Sequence, residues 1–377
     1  MELTLTTKQE RVSNITIYPS LLQDFNCLKD ALSSLDKSKP IAIITDSNVE
    51  KLYGRSLQEN LLSLNFKTHI FHFPAGETSK TRATKESIEN QMLENGLTAD
   101  LYIFALGGGV VTDIAGYIAA TFCRGVPLIA IPTSLTGMID ASIGGKNGIS
   151  VPQGKNLIGT IYQPKMILID LSLLNTLSKK ELRNGAIEMV KHGLVADRAH
   201  FDYLETHADQ ILALTPSTLK KAVYDSCQIK VKIVESDEIG VGQRHLLNFG
   251  HTIGHALEKL THYTMSHGEA VAIGILVESY LACLLNYLKP SCFERIKAIF
   301  NKYQLPLSLP YKIPIDEMLN AMALDKKTLN GERRFVILQD IGHASSFEGK
   351  FCTPVDLSLI KNALSWMNSD ITFGYLR

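Results

Sequence analysis

Three of the chain's eleven histidines, His245, His251 and His255, fall within one short segment, and His267 follows soon after it. On a helix that begins near Gly250, His251 and His255 are four residues apart and share a face, a spacing at which two imidazoles can reach one metal ion. A catalytic zinc ion usually has three protein ligands and one open position. The pattern therefore favours a metal site over core histidines, and leaves open which histidines bind.

A carboxylate could complete such a site. Glu188 lies in the segment NGAIEMVKHG, between Ile187 and Met189 and among other apolar residues. An unpaired carboxylate in apolar surroundings is costly, so Glu188 is expected to have a cationic partner. It is the best carboxylate candidate for the metal.

A second kind of chemistry is indicated by the segment LYIFALGGGVVTDIAGYIAA. It reads as a strand, the glycines Gly107–Gly109, and a helix from near Thr112 or Asp113. Glycines at the carboxyl end of a parallel strand, before a helix N-terminus, favour a dinucleotide phosphate site. The spacing differs from the usual G-x-G-x-x-G motif, and a simple tight turn is the alternative.

The next segment, residues 132–159, is polar and rich in glycine, and is predicted to be a functional loop or hairpin. The candidate site residues in this segment are Asp140, Lys146, Lys155 and Asn156. The two lysines and the amide of Asn156 could bind a phosphate. A loop whose lysines only face water is the alternative.

These residues need a scaffold that places them together. Short apolar runs alternate with helical patterns in the first half of the chain, which predicts an α/β domain with a doubly wound, mostly parallel sheet over residues 1–176. Apolar residues three and four apart then dominate, which predicts a helical domain over residues 177–377. The predicted strands are Ile41–Thr45, Thr68–Phe73, Leu101–Leu106, Pro127–Ile131 and Met166–Asp170; the predicted helices of the second domain include Lys179–Leu194, Pro216–Glu235, Gly250–Leu260, Gly268–Leu285 and Cys292–Tyr303.

Composition restricts the partners. Lys plus Arg equals Asp plus Glu at 38 each, so no global charge favours a nucleic acid or an anionic membrane. The six cysteines are scattered, which argues against a disulfide framework and favours a reducing cytoplasm. The apolar run from Ala270 contains Glu278 and is short for a membrane span, so it is expected to be a buried helix of a soluble protein.

The motifs in their order along the chain resemble the 3-dehydroquinate synthase family of sugar-phosphate cyclases. The resemblance rests on PAGETSK, GGGVVTDIAG, CRGV, IDASIGGKNG, GKNLIG, GAIEMVKHG, KVKIVESDE, RHLLNFGHTIGHALE and HGEAVAIG. It implies an NAD-binding N-terminal domain and a helical domain with a divalent metal, usually zinc and alternatively cobalt. The implied ligands are Glu188, His251 and His267, with His255 nearby as a group suited to proton transfer.

The resemblance also implies the remaining site residues. The residues expected to bind NAD are Asp46, Glu77, Lys80, Gly109, Val110, Val111, Thr112, Asp113, Thr133, Ser134, Lys146, Lys155, Leu173, Leu174, Asn175 and Thr176. Those expected to bind substrate are Asp140, Lys146, Asn156, Lys191, Lys230, Arg244 and Asn248. Arg124 is expected to reach a phosphate across a homodimer interface, and either Lys326 or Lys327 to complete the phosphate pocket.

The implied reaction converts 3-deoxy-D-arabino-heptulosonate 7-phosphate to 3-dehydroquinate and phosphate through transient oxidation by NAD. Three alternatives remain at this point: a cyclase that forms an inosose or valiolone ring, a metal-dependent alcohol or glycerol dehydrogenase, and a binding protein without activity. The substrate-facing residues favour the dehydroquinate reaction over the other cyclases, and the complete set of metal-ligand types argues against an inactive protein.

Overall fold

The computed structural model describes residues 11–305, 307–323 and 333–373. The chain divides into two compact units, of which the first comprises Met1–Thr133 and Ala141–Leu173. The second comprises Ser134–Asp140 and Leu174–Arg377, so the short segment with Asp140 belongs to it. The sequence predicts a single domain boundary after residue 176, and it does not predict that Ser134–Asp140 belongs to the second unit. Lys326 and Lys327 lie outside the described residues.

The first unit is built on a parallel sheet of six strands, which lie side by side in the order β1 (Asn14–Tyr18), β8 (Met166–Asp170), β5 (Leu128–Pro132), β4 (Tyr102–Gly107), β2 (Ile41–Asp46) and β3 (Thr68–Phe73). This confirms the predicted fold class. Strands β2, β4 and β5 are almost wholly buried, which explains their continuous apolar runs, since a sheet covered on both faces excludes water from both. A separate antiparallel hairpin consists of β6 (Lys146–Val151) and β7 (Gly154–Ile161).

The helices of this unit follow the strands. The carboxylates of Asp24 and Asp46 and the hydroxyl of Thr81 accept backbone N–H groups at helix starts, and so satisfy donors that the helix leaves unpaired. The helix Gly109–Thr121, in contrast, begins after Gly108 and has no side-chain cap. The helices are α1 (Phe25–Ala31), α2 (Ser47–Val49), α3 (Arg55–Ser63), α4 (Arg82–Glu94) and α5 (Gly109–Thr121).

The second unit is mainly helical, as predicted, with short two-stranded pairs near its end. One helix, His267–Leu284, is long and apolar enough to span a membrane, but 78% of it is buried inside the protein, as in a core helix. The helices are α6 (Lys179–Ala196), α7 (Arg198–Thr206), α8 (Ala208–Leu212), α9 (Pro216–Ser236), α10 (His251–Leu260), α11 (His267–Leu284), α12 (Pro290–Lys302), α13 (Ile315–Ala323) and α14 (Leu357–Asp370). The strands are β9 (Ser308–Leu309), β10 (Arg334–Phe335), β11 (Leu338–Asp340), β12 (His343–Ala344), β13 (Thr353–Pro354) and β14 (Thr372–Phe373).

Two glycines let the central helices of this unit approach closely. A Cβ on Gly274 of α11 would lie 1.9 Å from the carbonyl oxygen of Gly250, directly before α10. A Cβ on Gly268 would lie 2.5 Å from the Cα of Asn184 on α6. Contacts this short exclude any larger residue without a shift of the helices. They therefore fix how the starts of α10 and α11 lie against α6.

Candidate active site

Three helices bring one carboxylate and two imidazoles together. Glu188 lies on α6, His251 is the first residue of α10, and His267 is the first residue of α11. The Nε2 atoms of His251 and His267 each lie 3.6 Å from Oε1 of Glu188. Donors bound tetrahedrally to zinc at its usual bond lengths lie about 3.3–3.5 Å apart. The spacing of this group, here called the Glu188 triad, therefore fits one divalent ion.

Hydrogen bonds orient both imidazoles toward that point. Nδ1 of His251 lies 3.1 Å from the carbonyl oxygen of Phe249, and Nδ1 of His267 lies 3.1 Å from Oε2 of Glu258. An Nδ1–H that donates to an oxygen leaves the Nε2 lone pair available to a metal. Glu258 is buried, and sequence reasoning did not select it, although it lies in the same histidine-rich segment.

The carboxylate of Glu188 is buried and needs a cation nearby to stabilise its charge. Its side chain is 1% exposed, and Lys191 forms an ion pair with Oε2. Burial opposes ionisation, but the Lys191 ammonium and the two imidazoles outweigh it and hold the pKa of Glu188 well below its usual range. A buried, ionised carboxylate that faces two imidazoles suits a metal ligand.

His255 does not join this group. It is exposed, and its ring centroid lies 5.3 Å from that of His251. Together with Glu258 and His267 it forms a second group of residues close enough to hold a metal ion. That second set is less suited to a resident metal, because Glu258 and Nδ1 of His267 already satisfy each other. The helical spacing of His251 and His255 thus selected a segment that contributes to the triad, whereas the geometry groups His251 with Glu188 and His267. His245 lies in a turn, with Nδ1 3.0 Å from the carbonyl oxygen of Gly242.

We expect metal binding to release a proton. Burial disfavours a charged imidazole, but the carboxylates of Glu188 and Glu258 outweigh it and raise the pKa of His267 to about 10. His267 is then protonated at pH 7 without metal, and its Nε2 must lose that proton to bind one. Calorimetric titration of metal-free protein with Zn²⁺, in buffers of different ionisation enthalpy, should show about one proton released and weaker binding as the pH falls. Uptake at neutral pH without proton release would contradict this arrangement.

Three buried cations lie in the same unit. Lys191 on α6, Lys230 on α9 and Arg244 in the turn before α10 are each at most 5% exposed. Lys230 forms an ion pair with the carboxylate of Asp140, and its Nζ donates to the backbone oxygen of the same residue at 2.6 Å. Burial opposes ionisation of Asp140, but Lys230 and Lys191 hold its pKa below the usual range. Asn248 is half-buried and ends the short 3-10 helix Gln243–Asn248, which contains Arg244. This group can bind an anionic ligand.

The first unit presents a different set of residues at the carboxyl ends of β2 and β4, which are adjacent. Asp46 ends β2, and Gly107 ends β4 before the uncapped start of α5. A Cβ on Gly107 would lie 2.4 Å from the Val111 side chain, so only glycine allows this turn between strand and helix. Free N–H groups at such a start suit a phosphate.

Lys80 ties this turn to the hairpin. It is 4% exposed, forms an ion pair with Asp113 on α5, and donates to Oδ1 of Asn156 on β7 at 2.6 Å. The hydroxyl of Thr112 is accommodated by donating to the carbonyl oxygen of Gly109 at 3.0 Å. The helix start and the hairpin are thus held together by charge-assisted bonds.

The other residues predicted to bind NAD or substrate are spread over the two units. In the first unit Thr133 and Leu173 are buried, Val110 and Lys155 are half-buried, and Glu77 and Lys146 are exposed. In the second unit Ser134 accepts the N–H of Gly137 at 3.1 Å, Leu174 is buried, and Asn175 and Thr176 are exposed. Their contacts with NAD or substrate stay predictions.

Arg124 is exposed in a turn with an unusual backbone. Cys123 and Arg124 have φ angles of 47° and 69°, and Gly125 follows at 119°. Two successive residues other than glycine in the left-handed region are costly, about 1–3 kcal/mol each. The turn thus presents Arg124 to the exterior at an energetic cost, and its role across a dimer interface stays a prediction.

Comparison with known proteins places the chain in a family. The profile described as 3-dehydroquinate synthase N-terminal matches residues 70–184, and the profile described as 3-dehydroquinate synthase C-terminal matches residues 185–328. The chain belongs to the 3-dehydroquinate synthase family. Its relatives in that family include the 3-dehydroquinate synthase of Acidithiobacillus ferrooxidans, 42% identical over 81% of this chain and 84% of the relative. That of Thermoanaerobacter pseudethanolicus is 41% identical over 85% and 90%.

Solved structures show the same fold. The 2-epi-5-epi-valiolone synthase of Streptomyces hygroscopicus, solved with NAD⁺ and Zn²⁺ bound, has a TM-score of 0.87 and 29% identity over 97% of this chain and 99% of that chain. Glycerol dehydrogenase from Schizosaccharomyces pombe has a TM-score of 0.66 at 18% identity, over 96% of this chain and 91% of that chain, and shares the fold.

Proposed function

We propose that the protein is a 3-dehydroquinate synthase that converts 3-deoxy-D-arabino-heptulosonate 7-phosphate to 3-dehydroquinate and phosphate. The observation that carries this proposal is the Glu188 triad in a unit that also buries Lys191, Lys230 and Arg244. A site for a divalent cation beside several fixed cations suits a substrate with both hydroxyl and anionic groups. The relatives that share about two fifths of the sequence carry this enzyme name.

The cofactors follow from the residues present. The first unit would hold NAD at the Asp46 and Gly107 strand ends, and the Glu188 triad would hold zinc or cobalt. When bound, NAD supplies a reversible hydride acceptor and the metal supplies a Lewis acid. The NAD⁺ and Zn²⁺ bound to the valiolone synthase support this assignment.

The protein side chains bind and orient the substrate. Lys191, Lys230 and Arg244 are directional donors to carboxylate or phosphate oxygens, and Asn248 adds an amide donor. Two neutral imidazoles and one carboxylate leave a bound divalent ion with a net positive charge, which suits an oxygen that gains negative charge during the reaction. His255, exposed beside the triad, is proposed to transfer protons.

We further propose that the protein acts in the cytoplasm as a homodimer, with Arg124 contributing to the partner's phosphate site. The balanced charge and the scattered cysteines are consistent with that compartment. The strained turn at Arg124 supports a role for this residue outside its own unit.

A dehydrogenase with the same fold makes a different prediction. It would accumulate NADH during turnover, whereas the cyclase returns the hydride and releases phosphate. Absorbance of NADH and free phosphate should be followed together in metal-loaded protein with NAD and the heptulosonate phosphate. Stoichiometric phosphate at a constant low NADH level supports the proposal, and NADH that rises with each turnover overturns it.

A further inference from the structure

The loop between α9 and α10 is organised by one carboxylate. Asp237 accepts the backbone N–H groups of Gly240 at 2.8 Å and Val241 at 3.1 Å through Oδ1. Its Oδ2 accepts those of Gly242 at 2.7 Å and Arg244 at 2.9 Å. Partial burial opposes its charge, but these four donors outweigh it and lower the pKa of Asp237 to about 2. The carboxylate is therefore ionised at any physiological pH.

The two apolar side chains at the tip of the loop face solvent. Ile239 and Val241 are 68% and 72% exposed, so its apolar side chains do not anchor it to a core. Arg244 instead closes the loop, because its backbone N–H binds Asp237 and its guanidinium donates to the carbonyl oxygen of Glu238. Arg244 is 4% exposed and belongs to the same unit as Lys230. Chain entropy opposes a fixed position for a residue that follows an exposed loop, and these hydrogen bonds counteract it.

We propose that Asp237 is a positioning residue for Arg244. Its carboxylate folds residues 237–244 into one conformation, and this places the Arg244 guanidinium for an anionic group of the substrate. This inference deepens the proposed function and depends on it for the identity of the substrate. The ordering of the loop does not depend on it.

Steady-state kinetics of Asp237 variants test this role, and the expected change is in KM. In Asp237→Ala, KM for the heptulosonate phosphate should rise about ten- to a hundredfold, since hydrogen bonds to a charged group have been lost. Asp237→Asn should recover part of this, because its amide oxygen still accepts. Glu235→Gln is the matched control, since it removes an acidic charge from exposed α9 surface nearby and should leave KM unchanged.

A double-mutant cycle separates positioning from a general structural effect. If Asp237 acts through Arg244, adding Asp237→Ala to Arg244→Ala should raise KM by less than twofold further. An equal rise of KM in both backgrounds would overturn the proposal, as would an unchanged KM in Asp237→Ala alone.

Hydrogen exchange tests the loop independently of any reaction. Amides of residues 240–244 should exchange at least tenfold faster in Asp237→Ala than in the parent, while those in the middle of α9 stay protected. Unchanged exchange at 240–244 overturns the positioning role even if the enzyme is active. Absence of turnover in the parent protein, with loop exchange that responds as expected, counts against the proposed function and leaves Asp237 as the organiser of the loop.

Discussion

Replacing His267 with alanine should reduce kcat by about a thousandfold or more and remove the tightly bound metal. Loss of one of three ligands leaves Glu188 and His251 with too few donors, and a Lewis acid typically contributes several kcal/mol to lowering the barrier. Metal content after dialysis and the rate of phosphate release measure the two effects. His343→Ala is the control, because His343 is an exposed histidine of the same unit.

Further variants decide which triad binds the metal, since His267 belongs to both possible ligand sets. His251→Ala should lose the tightly bound metal. His255→Ala should keep it and lose only activity. Retention in His251→Ala together with loss in His255→Ala would contradict the assignment of the Glu188 triad.

Replacing Lys230 with alanine should impair both stability and turnover. Asp140 would keep a largely buried carboxylate without its ammonium partner, at a cost of about 2–4 kcal/mol in the free energy of unfolding. Loss of a donor to the substrate should also lower kcat/KM by about a hundredfold. Urea denaturation and phosphate release measure these effects, with Lys232→Ala, an exposed lysine of the same helix, as the control.

The stability defect of Lys230→Ala should shrink at acidic pH. Because the pKa of Asp140 is lowered by folding, the ion pair is fully stabilising above the ordinary carboxylate pKa, and this stabilisation is lost as the pH falls below about 4. The double variant Asp140→Ala with Lys230→Ala should regain stability without regaining activity. If Lys230→Ala alone were as stable as Lys232→Ala, the ion pair between Asp140 and Lys230 would not be buried as described.

The sequence predicted the central sheet because burial on both faces requires uninterrupted apolar runs, as in Ile41–Asp46 and Tyr102–Gly107. It missed β1, Asn14–Tyr18, an edge strand with exposed and half-buried residues and no such run. It also could not show that Ser134–Asp140 belongs to the second unit, because composition does not change there. Unit membership depends on contacts that no local pattern encodes.

The candidate metal site likewise depends on contacts between distant segments that a local sequence pattern does not encode. Helical periodicity relates residues within about one turn, and so it paired His251 with His255. The Glu188 triad instead joins three helices, and its geometry depends on the close approach of Gly274 to Gly250 and of Gly268 to Asn184. The family resemblance implied the combination of Glu188, His251 and His267 that the structure brings together. The hydrogen bonds of Glu258 and Asp237 became visible only in the structure.

The identity of the cyclised product tests the central claim most directly. Metal-loaded protein with NAD should be supplied separately with the heptulosonate phosphate, sedoheptulose 7-phosphate and glucose 6-phosphate, and the products identified by mass spectrometry and NMR. We predict 3-dehydroquinate from the heptulosonate phosphate, in amounts equal to the phosphate released, and no carbocycle from the two sugar phosphates. A valiolone or inosose from either sugar, or phosphate release without 3-dehydroquinate, would contradict it.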